Sequence, residues 1–260
     1  MIDTTLRGEN FMNISGKHIA ILVDNYFEQS ELEEPYDSLK EAGAEVTIIA
    51  TTTMEIQAMQ YAAYGDQFRA DLLLYQATPD DYDALVVPGG AINADALRVN
   101  DSAQRWVMDF IDDEKPLAVI CHAPWLLVSA ETVEGRRLTS YHTIRDDIVN
   151  AGGEWVNEPV VVDGAIITSR QPEDIPDFVD TIIRMLNHEA PGNLQSAAET
   201  ILSDSEFHNE DDYRLRAEGY DKRRDEITRE DERDILSDED ETDPDESRLS
   251  GLATRSNSQE

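Results

Sequence analysis

Apolar and polar positions divide the chain into strand-like and helix-like segments up to about residue 186. Short, nearly continuous apolar runs are separated by stretches in which apolar residues recur at helical spacing, as at Leu32, Tyr36 and Leu39. The first pattern is typical of strands buried on both faces, and the second of amphipathic helices. The predicted strands are residues 18–23, 46–50, 84–87 and 117–120. Their alternation with helices predicts an α/β fold, a three-layer sandwich with a mostly parallel central sheet of flavodoxin-like form.

Turn signals and periodicity place the other elements. Helices are predicted at residues 103–111, 123–130 and 174–186, and a hairpin joins residues 160–162 to 165–168 through Asp163-Gly164. The stretch over residues 51–82 is expected to contain one or two short strands near 70–75 and a loop, and residues 91–95 are expected to form a loop.

Two motifs directly follow predicted strands. Pro88-Gly89-Gly90 comes after the strand at 84–87, and Cys121 comes after the strand at 117–120. Ligands of parallel α/β sheets bind at the carboxyl ends of the strands. We therefore expect the glycine loop and the cysteine to meet at the functional edge of the sheet.

The chain is strongly acidic and changes composition near residue 189. It has 260 residues, with 21 Lys+Arg against 56 Asp+Glu, which gives a formal net charge of −35. Only 10 of the 72 residues at 189–260 are Leu, Ile, Val or Phe, too few to support a core. We expect an N-terminal extension over 1–16, a catalytic domain over 17–188, and an acidic, mostly disordered tail over 189–260; residues 1–188 carry a net charge of −21 and the tail −14.

These properties exclude several classes of function. So acidic a chain is unsuited to wrapping a nucleic-acid backbone or to binding an anionic membrane surface. It has no apolar run near the ~20 residues that span a bilayer and no signal-peptide pattern at its start. A single cysteine rules out an internal disulfide, which agrees with a cytoplasmic protein. The spread of the acidic excess over the whole chain also suggests a halophilic protein, working in high salt that screens its surface carboxylates.

Cys121 is the first candidate for chemistry. It lies in the stretch AVICHAPW, residues 118–125, between a buried strand and a helix. A thiol at such a turn lies near the positive end of the helix dipole, and the expectation is a lowered pKa. The alternative is a buried structural cysteine, because free cysteine is among the most buried residue types.

Three neighbours complete the candidate chemistry. His122 is adjacent in sequence, and a sharp turn would place its ring beside the sulfur. Gly90 permits close backbone approach, so its N–H is a candidate oxyanion donor. Glu28 follows the first strand and is the candidate carboxyl group for holding the sulfur. No metal-binding or nucleotide-binding motif is present in the sequence, so neither a metal nor a cofactor is predicted.

Residues 17–187 resemble the PfpI family of the class I glutamine amidotransferase-like superfamily, whose members include intracellular cysteine peptidases and protein deglycases. The matching blocks, in order, are YFEQSEL (26–32), DALVVPGG (83–90), ICHAP (120–124), TSY (139–141), DDIVNAG (146–152), EWV (154–156) and VVVDG (160–164). Many relatives have glycine after the histidine, where this chain has Ala123. Because that residue is also small, we expect little effect.

The resemblance implies a role for each candidate. Cys121 would be the nucleophile, His122 its general base or acid, and Glu28 the partly protonated carboxyl group that holds the sulfur. The backbone N–H groups of Gly90 and His122 would form the oxyanion hole. In the family a carboxylate after the glycine loop, often from a neighbouring subunit, orients the histidine, and Asp95 is the best match here. A homo-oligomer, a dimer or larger, is therefore expected.

Three functions remain open from the sequence. The first is a cysteine hydrolase that acts on a peptide or amide bond as a protease or amidase, or on a glyoxal-derived adduct of a protein as a deglycase; the substrate would be a protein or a small carbonyl compound. The second is a non-catalytic stress-response protein, redox-sensing or chaperone-like, that uses the same cysteine, because a reactive thiol is readily oxidised. The third is an interaction protein whose acidic tail binds basic partners while the domain serves as a scaffold.

Overall fold

A computed structural model describes residues 13–187. The predicted tail at 189–260 and most of the predicted N-terminal extension at 1–16 lie outside the described residues. The strands are β1 (His18–Val23), β2 (Phe27–Glu28), β3 (Glu45–Ala50), β4 (Glu55–Gln60), β5 (Ala63–Arg69), β6 (Leu72–Leu73), β7 (Ala84–Val87), β8 (Leu117–Ile120), β9 (Arg137–Leu138), β10 (Glu154–Trp155), β11 (Val160–Asp163) and β12 (Ile166–Ser169). The α-helices are α1 (Gln29–Glu41), α2 (Ala91–Arg98), α3 (Asp101–Asp112), α4 (Pro124–Ser129), α5 (Arg145–Asn150) and α6 (Ile175–Leu186).

Seven strands form the central sheet in the order β11-β12-β8-β7-β1-β3-β6. All neighbouring pairs are parallel except β11 and β12, which form the predicted antiparallel hairpin. The mostly parallel sheet predicted from the sequence is therefore confirmed. Because β7 and β8 are adjacent, their carboxyl ends bring the glycine loop and Cys121 together, as expected for this kind of sheet.

Helices cover both faces of the sheet. Alternate side chains of β1 show the division: Ile19, Ile21 and Val23 belong to one core, and Ala20 and Leu22 to the other. The first core includes side chains of α1 and α6, and the second includes side chains of α2, α3, α4 and α5. Burial of both sheet faces explains why these strands are continuous apolar runs rather than alternating ones.

The stretch after β3 differs from its prediction. The short strand predicted near 70–75 is present as β6, but the same stretch also holds an unpredicted antiparallel hairpin of β4 and β5, and β4 pairs with β2 in a separate three-stranded sheet. Most β5 side chains are at least partly exposed, so this strand has no apolar run that would reveal it. The predicted loop at 91–95 is also corrected, because these residues form the first turns of α2.

No helix in the part of the chain that the structure describes is both long enough and apolar enough to cross a membrane.

Candidate active site

Cys121 lies on a sharp turn between β8 and α4. Its φ of 62° is in the left-handed region, which a residue with a side chain adopts only when the surrounding structure imposes it. Two backbone hydrogen bonds hold the turn: Cys121 N–H donates to the Ser169 carbonyl at 3.0 Å, and Tyr141 N–H donates to the Cys121 carbonyl at 2.8 Å. This strand–turn–helix geometry is that of a nucleophile elbow. The cysteine is only 7% exposed, so it opens to solvent through a small part of its surface.

The glycine loop packs directly against the cysteine. A Cβ atom added to Gly89 would lie 2.6 Å from the Cys121 Cβ and 2.6 Å from Glu31 Oε2, so the loop can approach this closely only with glycine. Gly90 has a φ of 86°, and its N–H donates a hydrogen bond to the sulfur, as does the backbone N–H of His122. Both N–H groups that were predicted as oxyanion donors therefore adjoin the Cys121 sulfur.

A buried asparagine fixes the glycine loop in place. The Asn93 side-chain amide donates to the carbonyls of Pro88 and Gly89 at 2.8 and 2.9 Å, and its oxygen accepts from the Asp24 backbone N–H at 2.6 Å. Asn93 thereby ties the loop after β7 to the end of β1. Because the asparagine is fully buried, all three hydrogen bonds form away from competing water.

The carboxyl group beside the sulfur is that of Glu31, not of Glu28. Glu31 is fully buried in α1, interacts with the Cys121 thiol, and accepts a 2.7 Å hydrogen bond from Gly89 N–H through Oε2. Glu28 instead accepts a 3.0 Å hydrogen bond from the backbone N–H of Tyr61 on the β4–β5 hairpin. The expected position of Glu28 is corrected for this reason: it precedes α1 and is turned toward the hairpin, while Glu31 lies on the buried side of the helix.

Burial controls protonation in the Glu31–Cys121 pair. Burial raises the pKa of Glu31 to about 8, because its effect is larger than the opposing effect of the hydrogen bonds from Gly89 and Cys121. This carboxyl group is therefore mostly protonated at neutral pH. Burial also raises the pKa of the Cys121 thiol, and the charge of Glu31 is the second largest effect that raises it. The backbone N–H groups of Gly90 and His122 act in the opposite direction and favour the thiolate. The expected lowering of the thiol pKa is therefore not found, because the short helix α4 does not offset burial.

The imidazole of His122 lies beside the thiol of Cys121. Its Nδ1 lies 3.2 Å from the Cys121 Sγ, and its Nε2 lies 3.2 Å from the Oγ1 of Thr143. The imidazole packs beside the rings of Tyr141 and Trp125, with centroids 4.9 and 5.6 Å away. Burial first, and the nearby His142 second, lower the pKa of His122 to about 4, so the ring is neutral at pH 7 and able to accept a proton.

Asp95 is not brought to the histidine within one chain. It lies exposed on α2, and the hydrogen bonds of the His122 ring within residues 13–187 go to Cys121 and Thr143.

Within residues 13–187, no group of three or more His, Cys, Asp or Glu side chains is placed to hold a metal ion.

Sequence reasoning missed Glu31, Asn93 and Thr143. One of the three left a usable signal: Glu31 adjoins Leu32 and lies four residues before Pro35, so it shares the apolar side of a predicted helix. An acid on a buried helix face needs a functional or structural reason. Asn93 and Thr143 carry no comparable signal, because their contacts form only when distant segments pack.

The site combines an elbow cysteine, an adjacent histidine, a glycine loop and a buried carboxyl group. It lies at the edge of a mostly parallel α/β sheet, and this combination defines a class of cysteine-bearing sandwich proteins. A sequence model of the DJ-1/PfpI family matches residues 17–185. The chain belongs to this family, and the resemblance noted from its sequence blocks is confirmed.

The relatives with descriptive names include a deglycase and a general stress protein. Deglycase PfpI of Pyrococcus furiosus is 39% identical over 168 residues, which cover 65% of this chain and 98% of that protein. General stress protein 18 of Bacillus subtilis is 39% identical over 165 residues, covering 63% of this chain and 94% of that protein.

Solved structures show the same fold. DJ-1beta of Drosophila melanogaster superposes with a TM-score of 0.61 at 26% identity, covering 72% of this chain and 97% of that one. A two-domain protein of Anabaena variabilis, with a DJ-1/ThiJ/PfpI-like and a ferritin-like domain, superposes with a TM-score of 0.61 at 31% identity. That match covers 66% of this chain and only 48% of the two-domain chain.

Proposed function

We propose that this protein is a cysteine-dependent hydrolase in which the Cys121 thiolate attacks an electrophilic carbonyl carbon. The observation that carries the proposal is the 3.2 Å contact between Cys121 Sγ and His122 Nδ1, at an elbow where two backbone N–H groups also point at the sulfur. A thiol beside a neutral imidazole has a proton acceptor within reach, and the N–H groups supply the means to stabilise an oxyanion. The family and the deglycase name of a relative at 39% identity support this reading.

The first chemical step transfers one proton and forms one bond. As the sulfur adds to the carbonyl carbon, the thiol proton passes to Nδ1 of His122, and the carbonyl oxygen becomes an oxyanion near the N–H groups of Gly90 and His122. Protonated Glu31 donates a hydrogen bond to the sulfur and so stabilises the thiolate as it forms. With an amide, collapse of the adduct breaks the carbon–nitrogen bond, and the imidazolium returns its proton to the departing amine. With a glyoxal-derived hemiaminal, the sulfur instead replaces the amine on the hemiaminal carbon, and the amine leaves with the proton from the imidazolium. A proton then moves from that carbon to the neighbouring carbonyl carbon, an internal redox step that gives a thioester without an outside oxidant. Water then hydrolyses the thioester and restores the thiol.

Two substrate classes fit this chemistry, and the relatives favour one of them. A peptide or amide bond would make the protein a protease or amidase, and a glyoxal-derived adduct on a protein would make it a deglycase. We propose the deglycase reaction as the main activity, since the relative from Pyrococcus furiosus is named for it. The stress-protein name of the Bacillus subtilis relative agrees with a repair role of this kind. We also propose that the reaction takes place in the cytoplasm, where a lone thiol remains reduced.

The test is a pair of rapid-quench experiments with a methylglyoxal-modified peptide and with the same peptide unmodified. Because Cys121 is the only cysteine, any thioester or thiohemiacetal seen by mass spectrometry is assigned to one residue. We expect a covalent species and turnover with the modified peptide, and slower turnover or none with the plain one. Faster turnover of the plain peptide would assign a peptidase. Release of product from both without a sulfur-bound species would contradict nucleophilic catalysis by Cys121.

We propose that the protein works as a homo-oligomer, a dimer or larger. Tyr61 and Tyr64 on the β4–β5 hairpin are 73% and 76% exposed, and the backbone N–H of Tyr61 donates a hydrogen bond to Glu28. Exposed aromatic side chains grouped in this way are typical of interaction surfaces. The proposed role of Asp95 in orienting His122 would also require a second subunit. Sedimentation equilibrium checks this proposal, and a monomer at micromolar concentration would contradict it.

We also propose that the protein is halophilic and predict that its stability depends on salt. A net charge of −35 imposes repulsion among surface carboxylates that molar salt screens. We expect the melting temperature to rise on the order of 5–10 °C between low and molar KCl, as measured by differential scanning calorimetry. Sucrose at matched osmolality is the control, because it promotes burial without screening charge. A melting temperature that stays flat or falls with KCl would refute the prediction.

A further inference from the structure

The second nitrogen of the proposed base is occupied by a hydroxyl group. Oγ1 of Thr143 lies 3.2 Å from His122 Nε2, while Nδ1 of the same ring faces the sulfur. A neutral imidazole has one N–H donor and one lone-pair acceptor, and the partner of one nitrogen decides which role the other takes. In the part of the chain that the structure describes, Thr143 is the hydrogen-bond partner of Nε2.

The position of Thr143 is fixed relative to the elbow by the backbone. It lies in the 3-10 turn His142–Ile144, and the preceding Tyr141 donates its N–H to the carbonyl of Cys121 at 2.8 Å. Ile144 closes the turn with a 3.2 Å hydrogen bond to the Tyr141 carbonyl, and its side chain is buried in the second core. The turn is therefore anchored both to the nucleophile and to the core, so the hydroxyl remains within reach of the ring although Thr143 itself is exposed.

We propose that Thr143 is a positioning residue, whose Oγ1 accepts a hydrogen bond from His122 Nε2–H and thereby keeps the Nδ1 lone pair directed at the Cys121 thiol. The inference rests on the proposed function, in which His122 takes the thiol proton through Nδ1. A hydroxyl group orients the ring as a carboxylate would, but it carries no charge that would hold the imidazole protonated. This arrangement agrees with the neutral state of His122 at pH 7.

The test uses three variants of the full-length protein. Thr143→Val keeps the β-branched shape and removes the hydroxyl, and Thr143→Ser restores the hydroxyl. Thr78→Val is the matched control, because Thr78 is also exposed and next to a 3-10 turn, and its side chain makes no cap hydrogen bond. We expect Thr143→Val to lower kcat about three- to tenfold with little change in KM, as for loss of one neutral hydrogen bond. Thr143→Ser should recover most of the loss, and Thr78→Val should match the wild type.

Ring nitrogen shifts separate this proposal from the proposed function. Proteins labelled with ¹⁵N-histidine report the tautomer and hydrogen bonding of His122 at pH 7 without substrate, and a His122→Gln variant assigns its signals among the five histidines. We expect the Nε2–H tautomer in the wild type and in Thr143→Ser, and altered Nε2 and Nδ1 shifts in Thr143→Val. An Nδ1–H tautomer in the wild type, or identical shifts in Thr143→Val, would overturn the proposal. Ring nitrogen shifts that respond to Asp95→Asn and not to Thr143→Val would also overturn the proposal. The ring nitrogen shifts test the role of Thr143 even if Cys121 is not the nucleophile. Failure of the proposed function would appear only in the turnover measurements.

Discussion

Replacing Cys121 with alanine is expected to reduce turnover of both glycated and plain peptide substrates at least about a thousandfold, as for removal of other enzymatic nucleophiles. The loss follows from chemistry rather than from unfolding, because alanine removes one buried sulfur atom and keeps the backbone of the elbow. Initial rates of wild type and variant, measured side by side with melting temperatures, check this expectation.

Cys121→Ser is the paired control for the alanine variant. Serine nearly matches the shape of cysteine, but its hydroxyl ionises far less readily than a thiol, so equal inactivity of both variants assigns the effect to the sulfur. Unchanged turnover of both substrates by Cys121→Ala would refute the enzyme. If turnover is unchanged and only a response to peroxide or the protection of client proteins is lost, the redox-sensing or chaperone-like alternative takes its place.

The sequence predicts the sheet and the elbow because both depend on local patterns. Strands buried on two faces must be continuous apolar runs, and the order of those runs along the chain brings Gly90 and Cys121 to one edge. The β4–β5 hairpin escapes the same reasoning because every β5 side chain is at least partly exposed and only Ile56 and Ala58 of β4 are buried, so neither strand is a continuous apolar run. Propensity alone is a weak guide to such a strand.

The site is less predictable than the sheet, because it depends on how elements rotate and pack. Glu28 and Glu31 are three residues apart, and which carboxyl group meets the sulfur depends on the rotation of α1 about its own axis. That rotation is set by Leu32 and Leu39, which pack into the core and carry Glu31 inward with them. The Thr143 contact spans 21 residues and depends on the backbone hydrogen bond between Tyr141 and Cys121. Neither fact follows from spacing in the sequence.

Replacing Glu31 with glutamine is expected to stabilise the protein in mildly alkaline solution. Burial raises the pKa of Glu31 to about 8 in the folded state, against 4.5 for an unperturbed glutamate. Between these two values the folded protein binds more protons at this site than the unfolded chain does, so stability falls as pH rises from about 5 to about 8. The slope from this one group is at most about 1.4 kcal/mol per pH unit, and the total is on the order of 5 kcal/mol. Glutamine is neutral at every pH in this range, so the Glu31→Gln variant lacks this contribution to the pH dependence of stability.

Urea unfolding from pH 5 to pH 9 measures the effect, with Glu34→Gln as the control on the same helix. Glu34 is exposed, so its replacement should leave the pH dependence of unfolding close to that of the wild type. Glutamine at position 31 also retains an oxygen to accept from Gly89 N–H and an amide to donate to the sulfur. We therefore expect Glu31→Gln to keep activity near neutral pH within about tenfold, since each hydrogen bond it preserves is worth about 1 kcal/mol. Parallel stability curves for wild type and Glu31→Gln would show that Glu31 is ionised in the folded protein, and protonated Glu31 would then not be available to stabilise the thiolate.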